Sequence, residues 1–192
     1  MLRVYGSGSP VRLFVAGMHG DEWRDTSQLL LDMKPPETGT LAVIPMVDDG
    51  EYVSTLEENY YTVSGSSILE AIERFHPEVY LELHSYAKEN YARLTDDDRL
   101  SKAGVPAYNE LKNGLLLGSV PPYIRLGFFS MESLCISFEI ERSNEQSYQF
   151  AVELVEVVNK CKTRYDFVVY LLENFPKQAI KAIENYRKFY VL

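Results

Sequence analysis

Residues Arg12–Glu22 read RLFVAGMHGDE, and this stretch gives the strongest indication of the fold class. Its first half, Arg12–Gly17, is a short apolar run that predicts a buried β-strand. The segment Glu22–Met33 follows at once with apolar residues at helical spacing, which predicts an amphipathic helix ended by the prolines that come after it. A buried strand that turns tightly into a helix is typical of α/β proteins.

The same alternation of strand and helix continues on both sides of this stretch. Further strands are predicted at Leu2–Tyr5, Thr40–Pro45, Val79–His84 and Leu134–Glu141, with a helix at Ser66–Phe75. Nearly continuous apolar strands separated by helices indicate a three-layer α/β fold, in which a mostly parallel mixed sheet has helices on both faces. A further helix is expected near Ala107–Lys112, followed by a loop at Gly118–Pro122.

The last quarter of the chain is helical in pattern. We expect one compact domain over residues 1–192, with residues 146–192 forming C-terminal helices interrupted at Pro176. These helices either dock on the sheet or form the contact of a homo-oligomer.

Composition and charge exclude several classes of partner. The chain is 46% hydrophobic and 24% charged, with a formal net charge of −9 and no stripe of lysine and arginine. Nucleic acid and anionic membrane are therefore not expected partners. No apolar run reaches the roughly 18–20 residues that cross a bilayer, and the N-terminus lacks the apolar core of a secretory signal. We expect a cytoplasmic protein with two reduced cysteines.

Two of the three histidines end predicted strands. His19 follows the strand in Arg12–Glu22, and His84 ends a later one. Ligands bind outside the carboxyl ends of strands in an open α/β sheet, so both imidazoles can converge there. With Glu22, three residues after His19, they would supply the ligand set of a catalytic zinc that keeps one position open for water. The alternative is that each histidine is hydrogen-bonded at its strand end and that Glu22 serves the helix N-terminus.

Two motifs carry a resemblance to a known family. Gly17–Glu22 (GMHGDE) resembles the His-x-x-Glu zinc motif of the metallocarboxypeptidase superfamily, of the carboxypeptidase or succinylglutamate desuccinylase–aspartoacylase type, and Glu82–Tyr86 (ELHSY) resembles the segment with its third ligand. The resemblance is to a short, divergent member. It implies a zinc-carboxypeptidase-like fold that holds one zinc per chain through His19, Glu22 and His84.

A third motif supplies the catalytic acid. Ser137–Ile140 (SFEI) resembles the late strand that carries the glutamate of this family, which implies Glu139 as general base and acid. Glu141 lies two residues further along the same strand, so its side chain points to the same face. Either carboxylate can take this role, and the motif favours Glu139. Solvated charges on an edge strand are the alternative.

The substrate clamp of the family has no counterpart in its usual place. Family members carry an asparagine and arginines after the third strand, but residues Pro45–Tyr61 contain neither arginine nor lysine. Either the substrate lacks a free carboxylate or other residues hold it. The candidates are Arg93, Arg125, Arg142 and Tyr86, for which surface exposure or packing is the alternative role.

These observations together predict a zinc-dependent carboxypeptidase-like or deacylase-like hydrolase. It would cleave an amide bond of a small-molecule or peptide substrate, either a peptide or an N-acyl amino acid, through a metal-activated water. The alternative is a catalytically degenerate metal- or ligand-binding α/β domain that acts through a partner.

Overall fold

Seven strands form one mixed sheet in the order β1-β3-β2-β4-β7-β6-β5 in the computed structural model, which describes residues 1–57 and 59–190. The strands β2, β3, β4 and β7 run parallel to one another, and β1, β6 and β5 are antiparallel to their neighbours at the two edges. The strands are β1 (Arg3–Ser7), β2 (Val11–Ala16), β3 (Gly39–Ile44), β4 (Val79–Tyr86), β5 (Asn109–Lys112), β6 (Leu115–Gly118) and β7 (Leu134–Glu141).

Helices cover both faces of this sheet, which confirms the predicted three-layer α/β class. The helices are α1 (Trp23–Leu31), α2 (Ser66–Phe75), α3 (Tyr91–Leu94), α4 (Arg99–Ala103), α5 (Pro122–Phe128), α6 (Glu145–Lys160), α7 (Arg164–Asn174) and α8 (Pro176–Tyr190). Helices α1, α6, α7 and α8 share one buried cluster with the sheet, and α2 and α5 share a second one. Alternate residues of β2, β3, β4 and β7 enter the two clusters, as the pleat requires.

The region after α4 differs from the prediction. The expected helix near Ala107–Lys112 is wrong, because β5 and β6 form a hairpin there. Its two-residue turn is Asn113-Gly114, both with positive φ (56° and 83°). Asn-Gly is the pair that such a turn favours, because both central residues need a left-handed backbone. The sequence carried this signal, and the helical spacing of nearby apolar residues obscured it. The loop expected at Gly118–Pro122 is present and connects β6 to α5.

The C-terminal helices pack on the sheet of their own chain. Phe150, Leu154, Phe167 and Ala179 from α6, α7 and α8 are buried in one cluster with Phe138 of β7. Residues 191 and 192 of the expected helical segment lie outside the described part. No helix in the described part has the length and apolar character needed to span a membrane.

A large-to-small substitution in α7 tests this packing. Phe167→Ala is expected to lower the free energy of unfolding by about 3–5 kcal/mol. The Phe167 side chain is 1% exposed, and its ring centroid lies 6.4 Å from that of Phe138. Urea unfolding followed by circular dichroism measures the change. Tyr165→Ala in the same helix is the control, since Tyr165 is 72% exposed. Its effect should stay within about 0.5 kcal/mol, and equal losses in the two variants would contradict the docking of α7.

Candidate metal centre

A strained turn connects β2 to α1 and carries the first two candidate ligands. Gly17 has φ +57°, and a Cβ at this position would lie 2.9 Å from the Cβ of Trp23, so only glycine fits. The Gly17 N–H donates to Thr26 Oγ1 at 3.1 Å, and the Thr26 hydroxyl donates to the Glu22 carbonyl at 2.8 Å. These contacts fold the turn against α1, so that His19 and Glu22 lie at the entry of the helix.

The parallel register brings the other two residues to the same place. Strand β2 pairs with β4 up to Ala16 and Leu83, and the next residue of β4 is His84. On the other side of β4, His84 lies opposite Glu139 of β7. The carboxyl ends of three neighbouring strands therefore meet at one point, as the strand-end rule for α/β sheets predicts.

Three buried side chains converge at these strand ends. His84 Nδ1 lies 3.3 Å from Glu22 Oε2, and His19 Nδ1 lies 3.7 Å from the same oxygen. One ligand atom from each residue lies within 4.8 Å of the other two. The Glu22 carboxylate makes no capping hydrogen bond to α1 and instead faces the two histidines. The group His19, Glu22 and His84 can therefore bind a metal ion.

A buried carboxylate orients His84 from behind. Glu82 is fully buried, and its Oε2 lies 3.4 Å from His84 Nε2. The hydroxyls of Tyr61 and Tyr80 each donate to Glu82 Oε1 at 2.7 Å. A carboxylate that receives the proton of one imidazole nitrogen fixes the tautomer and leaves the other nitrogen free to bind a metal. Here the other nitrogen is Nδ1, which faces His19 and lies 3.3 Å from Glu22 Oε2.

The electrostatics of the group also suit a cation. Burial lowers the pKa of His19, which keeps this imidazole neutral, and its Nδ1 has no hydrogen-bond partner in the described part of the chain. Burial also lowers the pKa of His84, but the carboxylates of Glu22 and Glu82 outweigh this effect and raise it well above the ordinary value. Within the buried group of Glu22, Glu82 and the two histidines, two carboxylates thus face only one imidazole with a raised pKa, and a bound cation would balance the remaining negative charge.

Glu139 lies at the same cleft, and Glu141 does not. Burial, helped by the charge of Glu22, raises the pKa of Glu139 to about 7, although His84 and Arg99 oppose this rise. The Glu139 side chain lines the cleft beside the two histidines. Glu141 instead accepts a hydrogen bond from Asn144 Nδ2 at 2.6 Å, and the cleft lining does not include it. Both glutamates lie on a central strand, so neither is a solvated charge at an edge of the sheet.

The cleft has a volume of about 300 Å³ and holds three of the four candidate substrate residues. Arg93 is exposed at its wall and has no ion-pair partner among the described residues. Arg142 also lines it, but its guanidinium binds Asp21 at 2.7 Å and Asp25 at 3.3 Å. Tyr86 donates its hydroxyl to the Gly114 carbonyl at 2.7 Å. Only Arg93 of these three has a free polar group.

The structure does not bring Arg125 to this cleft. Its guanidinium donates to the carbonyl oxygens of Ser130 at 2.9 Å and Ser133 at 3.4 Å. Ser133 precedes β7, so Arg125 lies at the amino end of the strand, whereas Glu139 lies in its carboxyl half. Arg125 is therefore not in a position to contact a substrate in this cleft, contrary to the expectation from the sequence.

Sequence reasoning missed three residues of the cleft. Arg99 donates to the Pro106 carbonyl at 2.8 Å, and its guanidinium lies 4.8 Å from the ring centroid of Tyr108. The ring of Tyr52 lies 4.4 Å from that of His19 in an edge-on arrangement. Tyr52 and Tyr108 come from irregular segments and Arg99 begins the five-residue helix α4, so none of them belongs to a long periodic element, and only the path of the chain places them at the site.

Comparison with known proteins identifies the family. The family model described as "Uncharacterized protein conserved in archaea (DUF2119)" matches residues 7–191. "Uncharacterized protein MJ0501" from Methanocaldococcus jannaschii is 32% identical over 191 residues, which cover 94% of this chain and 91% of that protein.

Two solved structures show weaker similarity. An aspartoacylase family protein from Mesorhizobium loti has a TM-score of 0.48 and 15% identity, over 85% of this chain and 62% of that one. The cell shape determinant protein Csd4 from Helicobacter pylori has a TM-score of 0.33 and 17% identity, over 46% of this chain and 28% of that one. This chain spans less than two thirds of either structure, and neither similarity is strong enough to carry a function. The match over nearly the whole chain, by contrast, shows that this protein belongs to the archaeal DUF2119 family.

Proposed function

We propose that this protein is a zinc-dependent hydrolase that cleaves the amide bond of a peptide or of an N-acyl amino acid. The observation that carries the proposal is the convergence of His19, Glu22 and His84 in one buried group beside Glu139. Two imidazoles and one carboxylate with an open fourth position are typical of catalytic zinc sites. The three motifs that resemble the metallocarboxypeptidase superfamily support the same reaction.

The chemistry of the three donor side chains is compatible with a zinc ion. His19 Nδ1 is buried without a hydrogen-bond partner among the described residues, and His84 directs Nε2 to Glu82 and Nδ1 toward Glu22. These two nitrogens and the Glu22 carboxylate would hold zinc. When bound, zinc would supply Lewis acidity, which acidifies water and polarises a carbonyl group.

Glu139 is the proposed general base and acid for the proton of the attacking water. Its carboxylate lines the cleft from β7, the strand next to the one that carries His84. Among the described residues, no arginine or lysine forms a salt bridge with it. It would take a proton from the attacking water and return it to the nitrogen of the leaving amine. The bond between carbonyl carbon and nitrogen breaks in that step.

The walls of the cleft indicate the substrate. A volume of about 300 Å³ is at the small end for ligand sites, which favours a short acylated or peptidic molecule. Arg93 has a free guanidinium at the wall, and Arg99 lies beside it against Tyr108. Arginine binds carboxylate with two parallel hydrogen bonds. We therefore infer that Arg93 replaces the arginine that is missing after β3 and binds a substrate carboxylate.

The first experiment measures zinc. Protein purified without chelators or a metal-affinity step is expected to carry about one zinc per chain, measured by elemental analysis. His84→Ala should lose most of it, because this change removes one of the two nitrogen ligands. His76→Ala is the control, since His76 ends α2 at the surface. Equal zinc content in these two variants would rule out the proposed ligand set.

The second experiment separates base from ligand. Glu139→Gln is expected to keep the zinc and lower kcat about 10²–10⁴-fold, because the amide side chain cannot accept the proton. Hydrolysis of a panel of N-acyl amino acids and short peptides provides the assay. Glu141→Gln is the matched control on the same strand and should keep near-normal activity. Loss of zinc from Glu139→Gln would make Glu139 a ligand. No turnover by zinc-loaded wild-type protein would favour a catalytically degenerate binding protein.

The third experiment tests the carboxylate contact. Arg93→Met is expected to raise KM about ten- to hundredfold for substrates with a free carboxylate, the loss typical of one hydrogen bond to a charged group. Substrates in which a primary amide replaces the carboxylate should show little change. The same panel in both forms, assayed with wild type and variant, gives the comparison. An equal effect on both forms would show that Arg93 acts otherwise.

A further inference from the structure

A second cavity, of about 830 Å³, lies between α7, α8 and the edge of the sheet formed by β5, β6 and β7. It shares only Ser119 with the cleft of the metal centre among the described residues. A volume of this size is typical of sites that hold small organic molecules. Most of its lining is apolar and includes Leu117, Leu134, Ile136, Phe167, Leu171 and Ile183.

One wall of this apolar cavity carries a buried positive charge. Arg125 is 2% exposed, and its guanidinium lies 4.9 Å from the ring centroid of Tyr190. Its acceptors are carbonyl oxygens at the end of α5 and before β7. No carboxylate lies within 4.0 Å of it in the part of the chain that the structure describes. Carbonyl dipoles solvate a guanidinium but leave its net charge, and buried charges are normally paired.

The remaining acid of the lining does not balance this charge. Glu132 also borders the cavity, but its side chain is 87% exposed and pairs with Arg164 at 3.5 Å. Among the described residues, the cavity thus combines an apolar interior with one buried guanidinium that has no carboxylate partner, while the other two arginines of its lining, Arg164 and Arg187, are not buried. An anion with an apolar body is complementary to this arrangement.

A second polar group in the wall lacks a partner. Asn109 is 5% exposed and lines the cavity from the start of β5. Its Oδ1 accepts no hydrogen bond from any described residue. Buried polar atoms nearly always find a partner, and an occupant with a hydrogen-bond donor would supply one to this residue of the lining. This observation is independent of the charge of Arg125.

We propose that this cavity binds a small lipophilic carboxylic acid. The carboxylate lies against the guanidinium of Arg125, and the hydrocarbon body packs between α7 and α8. Asn109 accepts a hydrogen bond from a hydroxyl or amide group where the acid carries one. The site is separate from the metal centre, so the proposal does not depend on zinc or on hydrolysis.

Titration calorimetry of the full-length protein with decanoate, below its micellar concentration, tests the proposal. Decanoate is expected to bind one to one, and 1-decanol, which has the same chain without the charge, should bind about tenfold more weakly or worse. His19→Ala should bind decanoate as wild type does, which separates this site from the metal centre. Equal affinity for acid and alcohol, or no binding of decanoate, would overturn the proposal.

Two variants locate the binding. Ala182→Phe places a ring in the cavity from α8 and should abolish decanoate binding. Ile180→Phe is the matched control on the same helix, because Ile180 is 54% exposed and outside the lining. Arg125→Gln keeps a donor for the nearby carbonyls and should remove the preference for acid over alcohol. Unchanged binding in Ala182→Phe would place the acid elsewhere, and this result decides the question even if Arg125→Gln does not fold.

A shortened chain provides the last control. A protein that ends at Tyr190 should bind decanoate with unchanged affinity. A gain of tenfold or more would overturn the proposal, because the last two residues of the chain would then be the natural occupant of the cavity.

Discussion

Parallel pairing of β2, β4 and β7 is the constraint on which the candidate site depends. It sets three strand ends side by side, so that the turn after β2, His84 and Glu139 face one point. A shift of one residue in the pairing of β4 would turn His84 to the opposite face of the sheet. The apolar residues of β4 prevent such a shift, because they alternate between two separate buried clusters. Packing of the core thereby fixes the geometry of the chemistry.

The buried charge beneath the site requires its own compensation. Glu82 has no exposed surface, and two tyrosine hydroxyls and His84 surround its carboxylate. A buried carboxylate without such partners would be strongly destabilising. The same contacts orient His84, so one set of hydrogen bonds both stabilises the sheet and positions a candidate ligand. The carboxylates of Glu22 and Glu82 lie on either side of this one imidazole, and a cation is compatible with that arrangement.

Four arginines illustrate how tertiary contacts divide one residue type among different roles. Arg142 ties the end of β7 to Asp21 and Asp25 near the entry of α1. Arg125 holds the loop before β7 and charges the wall of the second cavity. Arg93 and Arg99 border the cleft of the candidate metal centre. A guanidinium can bind carboxylates, carbonyls or aromatic faces, and its neighbours decide which of these it meets.

Local patterns in the sequence were sufficient to predict the central strands and both ends of α2. They were also sufficient to select the three candidate ligands. Hydrophobic periodicity reports the period of an element, and the strand-end rule then places polar residues that follow a buried strand. The β5–β6 hairpin had a local signal in Asn113-Gly114 that competed with a helical pattern. No such signal existed for the surroundings of each arginine or for the second cavity. The same is true of three residues in the cleft, Arg99, Tyr108 and Tyr52. These features follow from the tertiary structure alone, because they depend on contacts between segments far apart in the chain. Periodicity within one segment carries no information about its distant neighbours.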